Sequence, residues 1–549
     1  MGRDRRKRRP GKRVIPPELA APAATAPRTQ SADPVLAVDP AAGAGLLAIA
    51  PVMAAVALGL AFALLVQPYL STTEPDFDEG WLMLDARFMA RGERPYVDFA
   101  HHEMPLHLYF LTAAGDLFGH TPYGYRLVSV LSIATSGLLL FVLVRPFAGV
   151  LAALTAEGTF LFASGHVFGI PAMPESSALP FTLLGTALLF LGRRPLSAYA
   201  SAVAFVLALL VKPLPFAMVA AAVLALAWGR EWRRLRDFAV GGILAAVAGL
   251  LWTNFVSDGL FFETLRFHVS RLATREVGMW TIDSGFTEIR ERLGITTPWQ
   301  WAALTFQNFF ETRDAYLPIV LFVLSLLAIP IWVLRLTASR PALGAFAVLW
   351  PASYLFVNFV AVDFLSMRYF VPYLAFAAFL FSGWVWLASR VAPRVVVASA
   401  AAVLCVVLAV RLATSLAARQ DPWFLGRADW IAREHPTVVS FSPMYFAWTG
   451  AEPGCDFANP ALTYGSFGEQ LPPGERARAH RIDDQKLIEC LRAHRDVPVI
   501  IDWGFFFFTR PGSALREYLA GEGSSQRLFF SPQAMEQWDR PGYRAPPFR

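Results

Sequence analysis

Hydrophobic positions along this chain fall into long blocks broken by short polar stretches. A helix that crosses a bilayer needs about 20 mainly apolar residues. Eleven blocks approach that length: about 46–66, 124–144, 148–167, 176–191, 196–211, 213–229, 238–256, 315–335, 342–361, 369–388 and 395–412. Prolines interrupt some of them, notably Pro213 and Pro215. Polar chain dominates 67–123, 257–314 and everything after 412. Residues 413–549 also change character. Short apolar runs, Thr437–Phe441 and Val497–Asp502, alternate with helical patterns near 427–434, 484–494 and 513–520, between Pro/Gly turns. This pattern predicts a small α/β domain. The chain therefore reads as an all-α polytopic membrane domain, 46–412, followed by an α/β domain, 413–549.

Composition agrees. Of 549 residues, 55% are hydrophobic and 16% charged, with mean hydropathy +0.44. Soluble chains carry about a quarter charged residues. An ordinary soluble enzyme, a disordered chain and a fibrous repeat are excluded. The net charge of +6 is local. Residues 1–13 hold eight Lys/Arg and one Asp, or +7, which leaves the remainder near −1. That is a basic tail on a neutral body and no nucleic-acid surface. An Ala/Pro-rich leader, 14–45, follows, and the first apolar run reads as a retained helix. With the tail in the cytoplasm, the short loops on its side carry eleven arginines and two acids, Glu231 and Asp237. That is the positive-inside bias. The same parity places 67–123, 257–314 and the C-terminal domain outside, with all nine histidines outside or at the outer surface. The expected location is the plasma (inner) membrane, multi-pass. Cys405 falls in a helix. Cys455 and Cys490 fall in the outer domain, where they can oxidise to a disulfide. No internal repeat of the kind found in inverted-repeat transporters is visible.

The first outer loop concentrates the chemistry. Glu74, Asp76, Asp78 and Glu79 follow the first helix within six residues. An amphipathic stretch, Gly80–Arg91, comes next, with Trp81, Leu84 and Phe88 on one face, and is expected to lie in the membrane surface. A carboxylate held there has a fixed height near the headgroups, where a general base meets a lipid-carried substrate. The plainer alternative is a set of solvated loop acids. Lys212 is the only lysine in the membrane part, because Lys7 and Lys12 lie in the tail and Lys486 in the outer domain. It suits a phosphate, or it snorkels at a helix end. Arg368 can grip phosphate through two parallel N–H bonds, or it anchors the interface beside Asp363. Glu175 starts a helix, where the dipole alone stabilises an acid. Glu157 lies mid-helix with no assigned role. His101-His102-Glu103 suggests a metal, but adjacent histidines on extended chain point apart and none recurs at i, i+4. Contact with headgroup or substrate is the expectation, with no metal ligands. His268 and Arg271 open the second outer loop and are placed to cover a site.

Ordered motifs carry a resemblance. Asp78-Glu79, then RGERPYVDFAHHEMPLHLYF and LFGHTPYGYRL, then LLVKPLPF at 209–216 and SMRYFVPYLAF at 366–376, resemble the GT-C glycosyltransferases. The nearest relatives are the bacterial protein O-mannosyltransferase-like and lipid A aminoarabinose transferase-like enzymes. The likeness covers about 45–390 well and the last 140 residues loosely. It implies inverting transfer of a hexosyl or pentosyl unit from a polyprenyl phosphate to a hydroxyl of a cell-envelope glycan, lipid or protein. By the same likeness Asp78 is the general base, with Glu79 the alternative base or an orienting neighbour. Lys212, Arg368, Tyr369, Glu175, Tyr96, His101, His102, His268 and Arg271 are its expected substrate contacts. No DxD is present, so no metal or other cofactor is expected, although some GT-C enzymes use a divalent ion. Two rivals stand beside it: a flippase for lipid-linked sugars, and a non-catalytic glycan-binding membrane protein.

Overall fold

The computed structural model describes residues 46–73, 76–99, 101, 103–167, 170–261, 300, 316–337, 340–356, 370–420, 422–457, 483–509 and 512–540. The chain divides into residues 1–49 and one compact unit, 50–549. The tail, the leader, Glu74, His102, His268, Arg271, Arg368 and Tyr369 lie outside the described residues.

Helices dominate: α1 (Leu46–Val66), α2 (Phe77–Ala90), α3 (Pro105–Phe118), α4 (Pro122–Ser164), α5 (Pro174–Leu191), α6 (Pro195–Val211), α7 (Phe216–Trp228) and α8 (Trp232–Val256). After the second loop come α9 (Tyr316–Leu326), α10 (Ile329–Thr337), α11 (Pro341–Phe356), α12 (Phe370–Val391) and α13 (Arg394–Ala418). Among the described residues, helix is found in every apolar block of the sequence. Six helices among the described residues are long and apolar enough to cross a membrane. Two expected spans run together in the 43-residue α4, which bends at Gly149. That residue adopts φ +83°, a conformation glycine reaches without a Cβ penalty. Aliphatic side chains stand exposed along α8 and α13, Ile243 and Val403 among them. In a bundle these are the faces lipid would cover.

The C-terminal region is the expected α/β domain. It contains α14 (Pro422–Glu434), β1 (Thr437–Ser440), α15 (Met444–Thr449), β2 (Glu452–Pro453), α16 (Asp484–Ala493), β3 (Val499–Ile501), α17 (Trp503–Phe508), α18 (Ala514–Ala520), β4 (Arg527–Phe529) and α19 (Pro532–Trp538). The four strands run parallel in the order β2-β1-β3-β4, with Val439 opposite Val499 and Ile501 opposite Phe529. Val439, Val499 and Ile501 are fully buried in one core with Phe441, Phe505 and Leu515. A disulfide joins Cys455 to Cys490, with Cα atoms 5.9 Å apart. Asp502, buried at the carboxyl end of β3, caps α17 by accepting the Phe505 N–H at 2.9 Å, and it accepts the Ser442 hydroxyl. Desolvation raises its pKa.

The amphipathic stretch Gly80–Arg91, expected to lie in the membrane surface, forms α2, and residues 81–86 are buried in protein without interruption. α2 packs between α3 on one side and α15 of the C-terminal domain on the other. Leu82, Met83, Leu84 and Phe88 share one apolar core with Tyr445, Phe446 and Ile500. Gly80 makes the closest approach possible: a Cβ there would lie 2.4 Å from the Met444 Cα. Amphipathicity marked the faces of α2, but the second cover came from a domain more than 300 residues away.

Candidate functional site

The N-terminus of α2 is a capping box. Asp76 Oδ1 accepts the N–H groups of Asp78 (2.9 Å) and Glu79 (3.4 Å), and Glu79 Oε2 accepts the Asp76 N–H at 3.3 Å. Four donors at a helix start otherwise lack partners, and this arrangement satisfies three of them locally. Asp78 sits half-buried in the first turn.

Glu79 points inward and is fully buried. Its two oxygens accept from Arg126 Nε and Nη2, both at 2.7 Å, and Oε1 also accepts the Ala172 N–H at 2.7 Å. Every lone pair of this carboxylate thus faces a donor, as a charge held in low dielectric requires. Arg126 also donates to Leu70 O, Thr73 O and Thr73 Oγ1, and its guanidinium lies 4.8 Å from the Trp448 ring. The Arg126–Glu79 pair therefore ties the segment after α1, the start of α2, the 170–173 segment and the C-terminal region. The place of Arg126 in LFGHTPYGYRL gave no hint of this, because its partner lies 47 residues earlier.

The 170–173 segment leads into α5 and a cleft. The Ala172 carbonyl accepts His107 Nε2 at 3.0 Å, and the Ser129 hydroxyl donates to Pro171 O at 2.7 Å. Burial pushes the His107 pKa down to about 4. Three residues after Ala172, Glu175 lines a cleft with Thr182, Lys212, Met218, Trp350 and Tyr354. Lys212 ends α6 and is buried. Its ammonium lies 2.5 Å from Glu103 and 3.5 Å from Glu175. Sequence reading singled out Lys212 and Glu175 but noted Glu103 only beside His101 and His102, since its contact with Lys212 spans 109 positions.

Between α2 and α3 the chain turns through Tyr96, at φ +68°. Tyr96 donates its hydroxyl to Glu103 O at 2.5 Å, and its ring meets His101 edge-on at 5.3 Å. His101 Nδ1 bonds buried Asp85 at 2.8 Å. Desolvation raises Asp85 to about 6, against its His101 and Trp81 contacts, which favour the ionised form. Asp85 was not foreseen, although it follows Asp78 by seven residues and so repeats its helix face. The structure thus brings Asp78, Glu79, Tyr96, His101, Glu175 and Lys212 into one connected region. No group of three or more His, Cys, Asp or Glu suited to a metal occurs among the described residues.

Known proteins can now be compared. Residues 101–253 match the family model described as dolichyl-phosphate-mannose-protein mannosyltransferase. That segment holds His101, Glu103, Arg126, Glu175 and Lys212 but starts after Asp78. ArnT from Cupriavidus metallidurans, solved bound to undecaprenyl phosphate, superposes with TM-score 0.52 at 15% identity, over 80% of this chain and 91% of that one. The chain has the GT-C fold. A second GT-C structure, the Archaeoglobus fulgidus oligosaccharyltransferase complexed with zinc and sulfate, gives TM-score 0.49 at 14% identity, over 74% of this chain and 62% of that one. No curated protein matches by sequence. The GT-C assignment accounts for the multi-pass helical body with its small α/β region, as the hydropathy pattern had indicated.

Proposed function

We propose that this GT-C protein transfers a sugar from a polyprenyl-phosphate donor to a hydroxyl of a cell-envelope acceptor, on the outer face of the plasma membrane. One observation carries the reading. Asp78 is locked, through its neighbour Glu79, to the Ala172 N–H, and that backbone leads in three residues to the wall of a cleft holding Glu175 and Lys212. A half-buried carboxylate, an apolar cleft and a buried cation thereby sit on one rigid frame. Inverting transfer needs these parts: a base for the acceptor hydroxyl, an apolar wall for a prenyl chain and a cation for the leaving phosphate.

In this reading Asp78 takes the acceptor proton as the hydroxyl oxygen attacks the anomeric carbon. Positioned base catalysis contributes about 10²–10⁴-fold. Glu79 is the positioning neighbour rather than a second base, because its oxygens are committed to Arg126 and Ala172. Lys212 exchanges a carboxylate contact for a phosphate oxygen when the donor enters. The resemblance also assigns substrate contacts to Arg368, Tyr369, His102, His268 and Arg271, which lie outside the described residues. The bound lipid in the ArnT structure, undecaprenyl phosphate, is of the class this donor would release. The disulfide suits an oxidising outer compartment.

The test compares wild type with Asp78→Asn in nanodiscs. A panel of polyprenyl-phosphate sugars is supplied with an envelope acceptor fraction, and free polyprenyl phosphate is followed by mass spectrometry. Release by wild type and loss of at least about 100-fold in the variant is expected. Equal release by both would remove Asp78 from the mechanism. No release, with lipid translocation in proteoliposomes impaired by Asp78→Asn, would favour a flippase instead.

A further inference from the structure

The face of α2 that carries Asp78 carries a second, deeper carboxylate. Asp85 lies seven residues on, two helical turns and about 10 Å along the axis. Trp81 lies between them on the same face. Asp85 is buried and accepts the Nδ1–H of His101 at 2.8 Å. His101 is buried too, with 1% of its side chain exposed. The ring is fenced by Trp81, Tyr96 and Phe99, with centroids at 5.9, 5.3 and 6.5 Å.

The other ring nitrogen, Nε2, is buried and has no hydrogen-bond partner among the described residues. A buried polar atom left in this state is costly, and native proteins hold few of them. The surroundings are not a relaxed loop. Tyr96 is held at φ +68° and pins the Glu103 carbonyl, two residues beyond His101. The Glu103 side chain in turn meets Lys212 at the cleft. Contacts therefore link His101 to Asp85 on α2 on one side and, through Tyr96 and Glu103, to Lys212 on the other. A carboxylate on Nδ1–H sets the tautomer: Nε2 becomes a lone-pair acceptor.

We propose that His101 Nε2 accepts a hydrogen bond from a hydroxyl of the sugar being transferred or of its acceptor, with Asp85 as the positioning residue that orients the ring. The proposal rests on the glycosyl-transfer reading above and deepens it. A site built to pair with a hydroxyl discriminates against substrates that lack it, since the unpaired group then stays buried. No bond is made or broken by His101 itself.

The experiment uses the full chain in nanodiscs and measures KM separately for the lipid donor and the acceptor, with thermal melting as the check on folding. Asparagine reproduces the Nδ1 position of histidine but has no atom at Nε2. His101→Asn is expected to melt near wild type, because Asp85 keeps its bond, yet to raise one KM about tenfold. A rise confined to the donor assigns the hydroxyl to the transferred sugar, and one confined to the acceptor assigns it there. Should His101→Asn fail to fold, Asp85→Asn/His101→Phe keeps the ring packing, removes the buried charge and faces the same KM criterion. Wild-type values for both KM terms, as a buried water on Nε2 would give, overturn the inference while leaving glycosyl transfer intact. Absence of polyprenyl-phosphate release and of donor binding by wild type overturns the functional reading, and this inference with it.

Discussion

Arg126→Met removes five donors from a fully buried position while keeping roughly the length and apolar body of the side chain. Glu79 then loses both 2.7 Å bonds and stands buried with only the Ala172 and Asp76 N–H groups. Breaking a buried pair from one side destabilises by about 3–5 kcal/mol, chiefly through the charge left behind. The carbonyls of Leu70 and Thr73 also lose a donor, so the upper end of that range is expected. Unfolding entropy of about 2.1 cal/mol/K per residue over 549 residues comes to about 1.2 kcal/mol/K. A loss of about 5 kcal/mol then lowers Tm by about 4 °C, and by more if helices persist in the unfolded membrane state and shrink that entropy. Melting in detergent, followed by tryptophan fluorescence, reads this directly. Glu79→Gln/Arg126→Met is the informative partner. It removes the stranded charge and leaves an acceptor for the Ala172 N–H. It should melt above the Arg126→Met single variant, with a coupling energy of about 2 kcal/mol or more. A single variant within about 1 °C of wild type, or a double variant less stable than the single, would refute the claim that this pair organises the frame.

Other outcomes follow from neighbouring features. Gly80→Leu places side-chain atoms where the Met444 backbone already lies, 2.4 Å from an added Cβ. It should loosen the C-terminal domain from α2, seen as faster limited proteolysis after residue 412 and as lost transfer. Asp85 has its pKa raised to about 6 from 3.8 by burial. Its folded state therefore binds a proton more tightly than the unfolded one. That contribution to stability is complete below about pH 4 and is lost as pH rises through about 6. The stability difference between wild type and Asp85→Asn should accordingly shift toward the variant over pH 4–7, by up to about 3 kcal/mol, and a flat difference in pH-dependent melting would contradict it. Replacing Cys455 and Cys490 together by serine opens a link of sequence separation 35. The C-terminal domain should lose about 3–4 kcal/mol on a chain-entropy estimate, readable as a lower melting point that reductant does not depress further.

Much of the fold was legible in the chain. Blocks of about 20 apolar residues have few alternatives to helix in lipid, because only helices and closed barrels satisfy the backbone there. The strands of the C-terminal region were legible for a related reason. Thr437–Phe441 and Val497–Asp502 are short apolar runs between turns, and β1 and β3 fall inside them. Part of the site was legible through charge scarcity. Lys212 stood out as a lone lysine and Glu175 as an acid beginning a helix, and both line the cleft. The acids ahead of α2 were visible as a cluster, but their different fates were not. Asp76 became the cap, Asp78 stayed half-buried, and Glu79 turned inward to Arg126.

Local pattern thus determined helices, strands and the concentration of polar chemistry in the first loop, because hydropathy and turn chemistry act over a few residues. Pairings across long gaps were decided only by the tertiary structure: Glu79 with Arg126, Lys212 with Glu103, Asp85 with His101, and α2 beneath a domain from the far end of the chain. A buried charge or hydrogen-bonding atom takes whichever complementary group the packed backbone brings within about 3 Å, and that group can come from any position in the sequence.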